Sequence, residues 1–159
     1  YIGEKIILII PGISKLIIEV EIARLGHVLG NMLKIGTPID VALEALLEVN
    51  SFYNYKVFYK ELTKSISIGQ SFSTFFVENP KVSRVLPSSV RQIIIISERS
   101  GNLPNAFINL GNIYEKKFKL SSQVFFTLLE PILLIIVWII VATVALAIIT
   151  PLYSLIGNF

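Results

Sequence analysis

The chain has no cysteine anywhere in its 159 residues, which excludes a disulfide framework, a thiolate metal site and a cysteine nucleophile. Histidine is nearly absent too: His27 is the single one, so no two-histidine metal site exists and only one imidazole base is on offer. Neither a GxxxxGK[ST] loop nor a GxGxxG turn is present, so no recognised motif cradles a nucleotide phosphate. The acids are dispersed as single members of helix faces, and no pair of carboxylates spaced for acid–base work stands out. No cofactor or metal is expected. The net charge of +3 is evenly mixed along the chain and makes no basic stripe, so no nucleic-acid partner is expected either. The opening residues from Tyr1 to Lys5 lack the basic, apolar and small-residue regions of a signal peptide, and the chain reads as a piece of a longer protein.

Charge is what the carboxy-terminal part lacks. Every lysine, arginine, aspartate and glutamate lies at or before Glu130, and none follows Pro131. Hydrophobic residues make up 53% of the chain and charged ones 16%, against about 25% charged in an ordinary globular protein. Residues 132–150 carry thirteen Leu, Ile or Val side chains. As a helix rising ~1.5 Å per residue, that run matches the ~30 Å hydrocarbon core of a bilayer. At about −0.3 to −0.6 kcal/mol each, those side chains contribute roughly −4 to −8 kcal/mol to insertion. Lys116, Lys117 and Lys119 precede the run and no positive charge follows it, which predicts a cytoplasmic amino-terminal part and a carboxy terminus outside. A second apolar stretch, residues 6–18, is interrupted by Pro11, Gly12 and Lys15 and is too short to span.

The remainder predicts an all-α antiparallel bundle of about six helices ahead of the membrane helix. Ser14 is placed to cap a first helix running to Lys34, with Ile18, Ile22, Leu25, Leu29 and Met32 forming one seam. Gly26 and Gly30, four apart on it, permit another backbone to approach closely. Gly36 is expected to stop this helix, and Thr37, Pro38 and Asp40 to open the next, which buries Ile39, Ala42, Leu43, Leu46 and Leu47. Asn50 and Ser51 break the chain before a third stripe of Phe52, Tyr55, Tyr59, Leu62 and Ile66. Gly69 ends that helix, and Ser71 caps a short one with Phe72, Phe75 and Phe76. A fifth starts at Pro87 or Ser88, carrying Val90, Ile93, Ile94 and Ser97, and stops at Ser100 and Gly101. A sixth opens near Leu103 or Pro104, with Ala106, Leu110, Ile113 and Tyr114 inward. The expected division is an apolar lead-in over residues 1–13, the bundle over 14–127, the span over 128–151 and a short tail over 152–159.

Several fragments in order resemble the type II secretion F-domain family, the inner-membrane platform proteins of type II secretion systems and type IV pilus machines. They are Pro11-Gly12, Ala23-Arg24 with Leu29 and Leu33, Gly36-Thr37-Pro38-Ile39, Gly69-Gln70-Ser71-Phe72, Glu98-Arg99-Ser100-Gly101-Asn102-Leu103, Tyr114-Glu115, Glu130-Pro131 and Thr150-Pro151-Leu152. One position departs, because Ser97 stands where the family usually has glycine. The resemblance implies a non-enzymatic scaffold of which this chain is the second cytoplasmic domain with the last membrane helix. Its implied partners are a cytoplasmic assembly ATPase, pilin or pseudopilin subunits, other inner-membrane assembly proteins, the lipid bilayer and further copies of itself. Candidate structural or partner-contact positions are Arg24, Gly36, Pro38, Gly69, Glu98, Gly101, Glu130 and Pro131. Glu98 and Gly101 are expected to shape the turn between the fifth and sixth helices, and Arg24 to pair with an acid of the bundle.

Two other readings come from the residues alone. A transporter or channel subunit requires polar groups along the span, where only Thr143 and Thr150 qualify. A membrane-bound enzyme would have to rely on His27.

Overall fold

The computed structural model describes residues 11–49 and 52–156. The expected break at Asn50 and Ser51 and the apolar stub before Pro11 fall outside them. Six α-helices and one 3-10 turn make up the described residues, with no strand among them: α1 (Pro11–Lys34), α2 (Ile39–Val49), α3 (Tyr53–Ser67), α4 (Phe72–Glu78), the 3-10 turn (Val82–Val85), α5 (Ser88–Arg99) and α6 (Leu103–Ile156). The chain divides into two compact units, the first ending at Leu120 and the second starting at Ser121.

Three of the connections share one device. Gly36, Gly69 and Gly101 have φ of +86°, +83° and +68°, the left-handed region where a side chain is strained. At the first, Gly36 N donates to the Leu33 carbonyl at 3.1 Å and Thr37 N to the Met32 carbonyl at 2.9 Å. The same pair of bonds recurs at Gly69 and Gln70, and again at Gly101 and Asn102. Each closes the preceding helix by satisfying its last carbonyls and turns the chain sharply into the next helix.

The first unit is built around one core. Ile22, Leu25 and Leu29 of α1 join Ala42, Leu43 and Leu46 of α2, and Tyr55, Phe58, Tyr59 and Leu62 of α3. Phe72, Phe75 and Phe76 of α4 are all buried, as are Val90 and Ile94 of α5, and Phe107, Leu110 and Tyr114 of α6. Aromatic edges knit the centre: Phe58 meets Phe75 with ring centroids 5.8 Å apart, and Phe72 meets Phe107 at 6.0 Å. The helical spacing predicts most of this face. It misses Phe58 and Phe107, and it wrongly assigns Ile93 and Ile113 inward, since both are exposed.

Other expectations shift. Ser14 is not a cap but lies inside α1, three residues past its start at Pro11. Helix α2 begins one residue later than predicted, at Ile39, with the Pro38 carbonyl accepting from Ala42 N at 3.1 Å. Ser71 caps α4 as expected, accepting from Thr74 N at 3.1 Å.

The second unit is helical from Ser121 to Ile156, reaching past the residue 152 at which the sequence places a tail. Large apolar side chains along it, among them Leu133, Ile136, Trp138 and Ile140, are exposed. Helix α6 is long and apolar enough to cross a membrane. Thr143, the polar group inside that run, donates to the Ile139 carbonyl one turn back at 2.8 Å, so its hydroxyl needs no partner from lipid.

Candidate functional site

Helices α1 and α6 approach until their backbones touch. A methyl group on Gly26 would lie 2.3 Å from the Gly111 amide nitrogen and 2.5 Å from the Phe107 carbonyl oxygen. On Gly30 it would lie 2.7 Å from the Ile108 amide nitrogen. All three glycines, Gly26, Gly30 and Gly111, are buried. Glycine inside a helix costs ~1 kcal/mol against alanine, and here that cost is offset by close contact. The spacing of Gly26 and Gly30 points to such a contact, whereas their partner Gly111 is visible only in three dimensions.

Beside this seam His27 Nε2 lies 3.0 Å from Glu115 Oε2, and Lys119 Nζ donates to Glu115 Oε1 at 2.7 Å. The Lys119 hydrogen bond first, and the His27 bond second, hold the Glu115 carboxyl below its ordinary value. His27, the sole base candidate, is therefore a half-exposed clasp between α1 and α6. Lys117 rests over the Tyr114 ring at 4.5 Å.

A second polar cluster is buried. Glu19 and Glu21 of α1 are 4% and 0% exposed, and Lys15 Nζ lies 3.9 Å from Glu19 Oε1. Arg24 Nη1 donates to Glu21 Oε1 at 2.6 Å, so the acid that Arg24 meets lies on its own helix. The Glu21 side chain is fully buried and that of Arg24 a third exposed, so the pair brings a charged carboxylate into the bundle beside a cation that still reaches solvent. The Tyr55 hydroxyl donates to the Val85 carbonyl at 3.1 Å. Burial, with Glu21 adding to it, pushes both the Tyr55 and Tyr59 phenols well above their usual range. Glu21 follows Ile18 by three residues and precedes Leu25 by four, which puts it on the apolar seam, a signal already present in the sequence.

The structure gives the Glu98 side chain a role beyond the predicted turn. Its Oε1 accepts from Phe72 N at 2.8 Å and its Oε2 from Ser73 N at 3.3 Å. The carboxylate thus crowns the start of α4 and fixes two orphan amides with a favourable charge, while the Glu98 carbonyl accepts from Gly101 N at 3.1 Å in the turn after α5. Two fragments far apart in sequence, Gly69-Gln70-Ser71-Phe72 and Glu98-Arg99-Ser100-Gly101, meet through this contact. Gly36, Gly69 and Gly101 are the turn residues described above, and Pro38 flanks α2. Glu130 and Pro131 lie in the second unit, exposed on α6.

A shallow groove of about 530 Å³ opens on the first unit between Ile17, Tyr53 and Val85, with Lys81 and Arg84 at its edge. Among the described residues, no three His, Asp or Glu side chains come close enough to hold a metal.

Comparison with known proteins matches residues 27–151 to the family described as "Type II secretion system (T2SS), protein F". The chain is 21% identical over 152 residues to the type IV pilus assembly protein TapC of Aeromonas hydrophila, covering 96% of this chain and 36% of that protein. It is 21% identical to the type IV pilus assembly protein PilC of Pseudomonas aeruginosa over 155 residues, 98% of this chain and 40% of that protein. With PilC of Myxococcus xanthus the identity is 23% over 156 residues, 97% of this chain and 36% of the relative. The chain thus spans two fifths or less of the length of these relatives. With the matched region running from the glycine seam through the apolar helix, the chain belongs to the type II secretion system protein F family.

Proposed function

We propose that this chain is a non-enzymatic platform for pilus or pseudopilus assembly, held in the inner membrane by α6. Its bundle faces the cytoplasm and receives an assembly ATPase, and its apolar helix meets pilin or pseudopilin subunits. The observation that carries this reading is the family match over residues 27–151, which joins bundle and apolar helix in one unit of descent with proteins named for type IV pilus assembly. The lysines at 116, 117 and 119 before a charge-free run support the orientation. The engagement of His27 with Glu115 supports a structural role for the one imidazole.

The test is co-purification of the full-length protein, solubilised in detergent, with the ATPase and pilin-like products encoded beside it. Recovery of either is the expected result. Failure to recover both would remove the platform reading, and a protein that stays in plain buffer without sedimenting with vesicles would remove the membrane anchor as well.

A further inference from the structure

The groove on the first unit opens at one particular end of the bundle. Gly26 of α1 faces Gly111 of α6 and Gly30 faces Ile108, so these two helices run antiparallel. Followed onward, α6 reaches Leu120 level with the early turns of α1, and those turns supply Ser14 and Ile17 to the groove. The end of the first unit that holds the groove is therefore the end from which the chain leaves for its apolar run. That run begins at Ile132, twelve residues beyond Leu120, about 18 Å along a helix. Whatever else the protein contains, its own chain tethers this end of the bundle within reach of a bilayer surface.

The groove has the chemistry of that surface. Its floor is aliphatic, formed by Ile17, Val82 and Val85, and its volume of about 530 Å³ falls within the ~300–1,000 Å³ of small-molecule pockets. Tyr53 stands at its edge 53% exposed, an aromatic of the kind that settles at headgroup level. Lys81 and Arg84 are exposed on the rim, and no acid is among the described residues that line it. Glu78, the acid nearest those cations in sequence, accepts from Gln70 Nε2 at 3.1 Å. Two cations over an aliphatic floor complement a phosphate joined to an acyl chain, a combination that a bilayer presents and a free phosphate does not.

We infer that this groove seats an anionic phospholipid of the bilayer, with its phosphate between Lys81 and Arg84 and part of an acyl chain against Ile17, Val82 and Val85. The inference rests on the membrane-spanning part of the reading above.

The test follows backbone hydrogen exchange of the full-length protein reconstituted in phosphatidylcholine vesicles and in mixed phosphatidylcholine–phosphatidylglycerol vesicles. Exchange across residues 53–57 and 81–85 should be slower in the mixed vesicles, with residues 72–78 unchanged as the check on folding. A cation near an anionic surface favours binding about fivefold, so Lys81→Gln and Arg84→Gln should each raise by that factor the phosphatidylglycerol content needed for half the slowing, and together roughly thirtyfold. Lys116→Gln with Lys117→Gln lowers the charge at the same end outside the groove and should leave the slowing in place. Equal loss in that control would make the effect a general surface attraction and overturn the inference. Slowing by glycerol phosphate added to phosphatidylcholine vesicles would assign the cations to a free phosphate and overturn it too. Rates that are the same in both vesicles would show the groove empty, filled by neutral lipid or covered by another part of the protein, and each of these also refutes it. A protein that sediments with both vesicles without slowing removes this inference alone, whereas one that sediments with neither removes the membrane reading with it.

Discussion

Substituting Gly26 by alanine isolates the contact that joins the first and last helices of the bundle. In an exposed helix this change is stabilising by ~1 kcal/mol, because alanine loses less backbone freedom. Here the added methyl falls against the Gly111 nitrogen at 2.3 Å and the Phe107 oxygen at 2.5 Å, and both are backbone atoms that no rotamer change can move. It sits about 1 Å inside ordinary contact, so α1 and α6 must part by about that distance. A gap of 0.5–1 Å forfeits about a quarter to a half of each dispersion contact, and the side chains affected are Leu25, Leu29, Phe107 and Leu110. Overpacking of this kind costs about 1–3 kcal/mol, and the lost contacts add to it. After the propensity gain the net expectation is a destabilisation of about 2 kcal/mol, or roughly 6–10 °C in the midpoint of thermal unfolding. Far-UV circular dichroism of the full chain in detergent reads it directly. Gly36→Ala is the control, because nothing lies within 4 Å of its added methyl and only its φ of +86° opposes the change, at about 1 kcal/mol. A Gly26→Ala protein more stable than the parent would refute the backbone contact.

Glu98→Ala should lower stability by about 1–2 kcal/mol through the loss of its two amide contacts, with faster hydrogen exchange at Phe72 and Ser73 than elsewhere in the core. Uniform exchange across the core would argue against the capping role. Glu115 has a depressed carboxyl, so its contribution is present above the ordinary glutamate value and is lost as pH falls through the lowered one. Thermal melts of the parent and Glu115→Gln should therefore differ at neutral pH and converge in acid; a constant gap down to acid would contradict the Lys119 and His27 bonds. Tyr55 and Tyr59 have raised phenols, so stability should decline as pH climbs above about 10, where the unfolded tyrosines ionise and the folded pair do not. Alkaline difference absorbance should then show fewer than the chain's six tyrosines titrating before the cooperative unfolding step, and a smooth titration of all six would exclude their burial.

Features that depend on local spacing or on bulk composition are legible in the order of the residues alone. Helical periods along α2 and α4, the glycines at 36, 69 and 101, and the charge-free run after Pro131 each act through near neighbours or through solvent, so the order of residues suffices to read them. The family was legible for the same reason, since its fragments are turn and cap residues at fixed spacings. What those residues touch is fixed only when the helices pack. Glu98 lies twenty-six residues from Phe72, and no pattern within α5 announces that its carboxylate will reach the amides of α4. Gly111 becomes necessary only because α1 arrives against it, and Glu115 becomes the partner of His27 across eighty-eight residues for the same reason. Glu19 is covered only once the bundle closes over it. Local geometry is set by interactions that cost little chain entropy to form, whereas pairing across the bundle follows from how whole faces are packed, and that packing is a property of all the helices together.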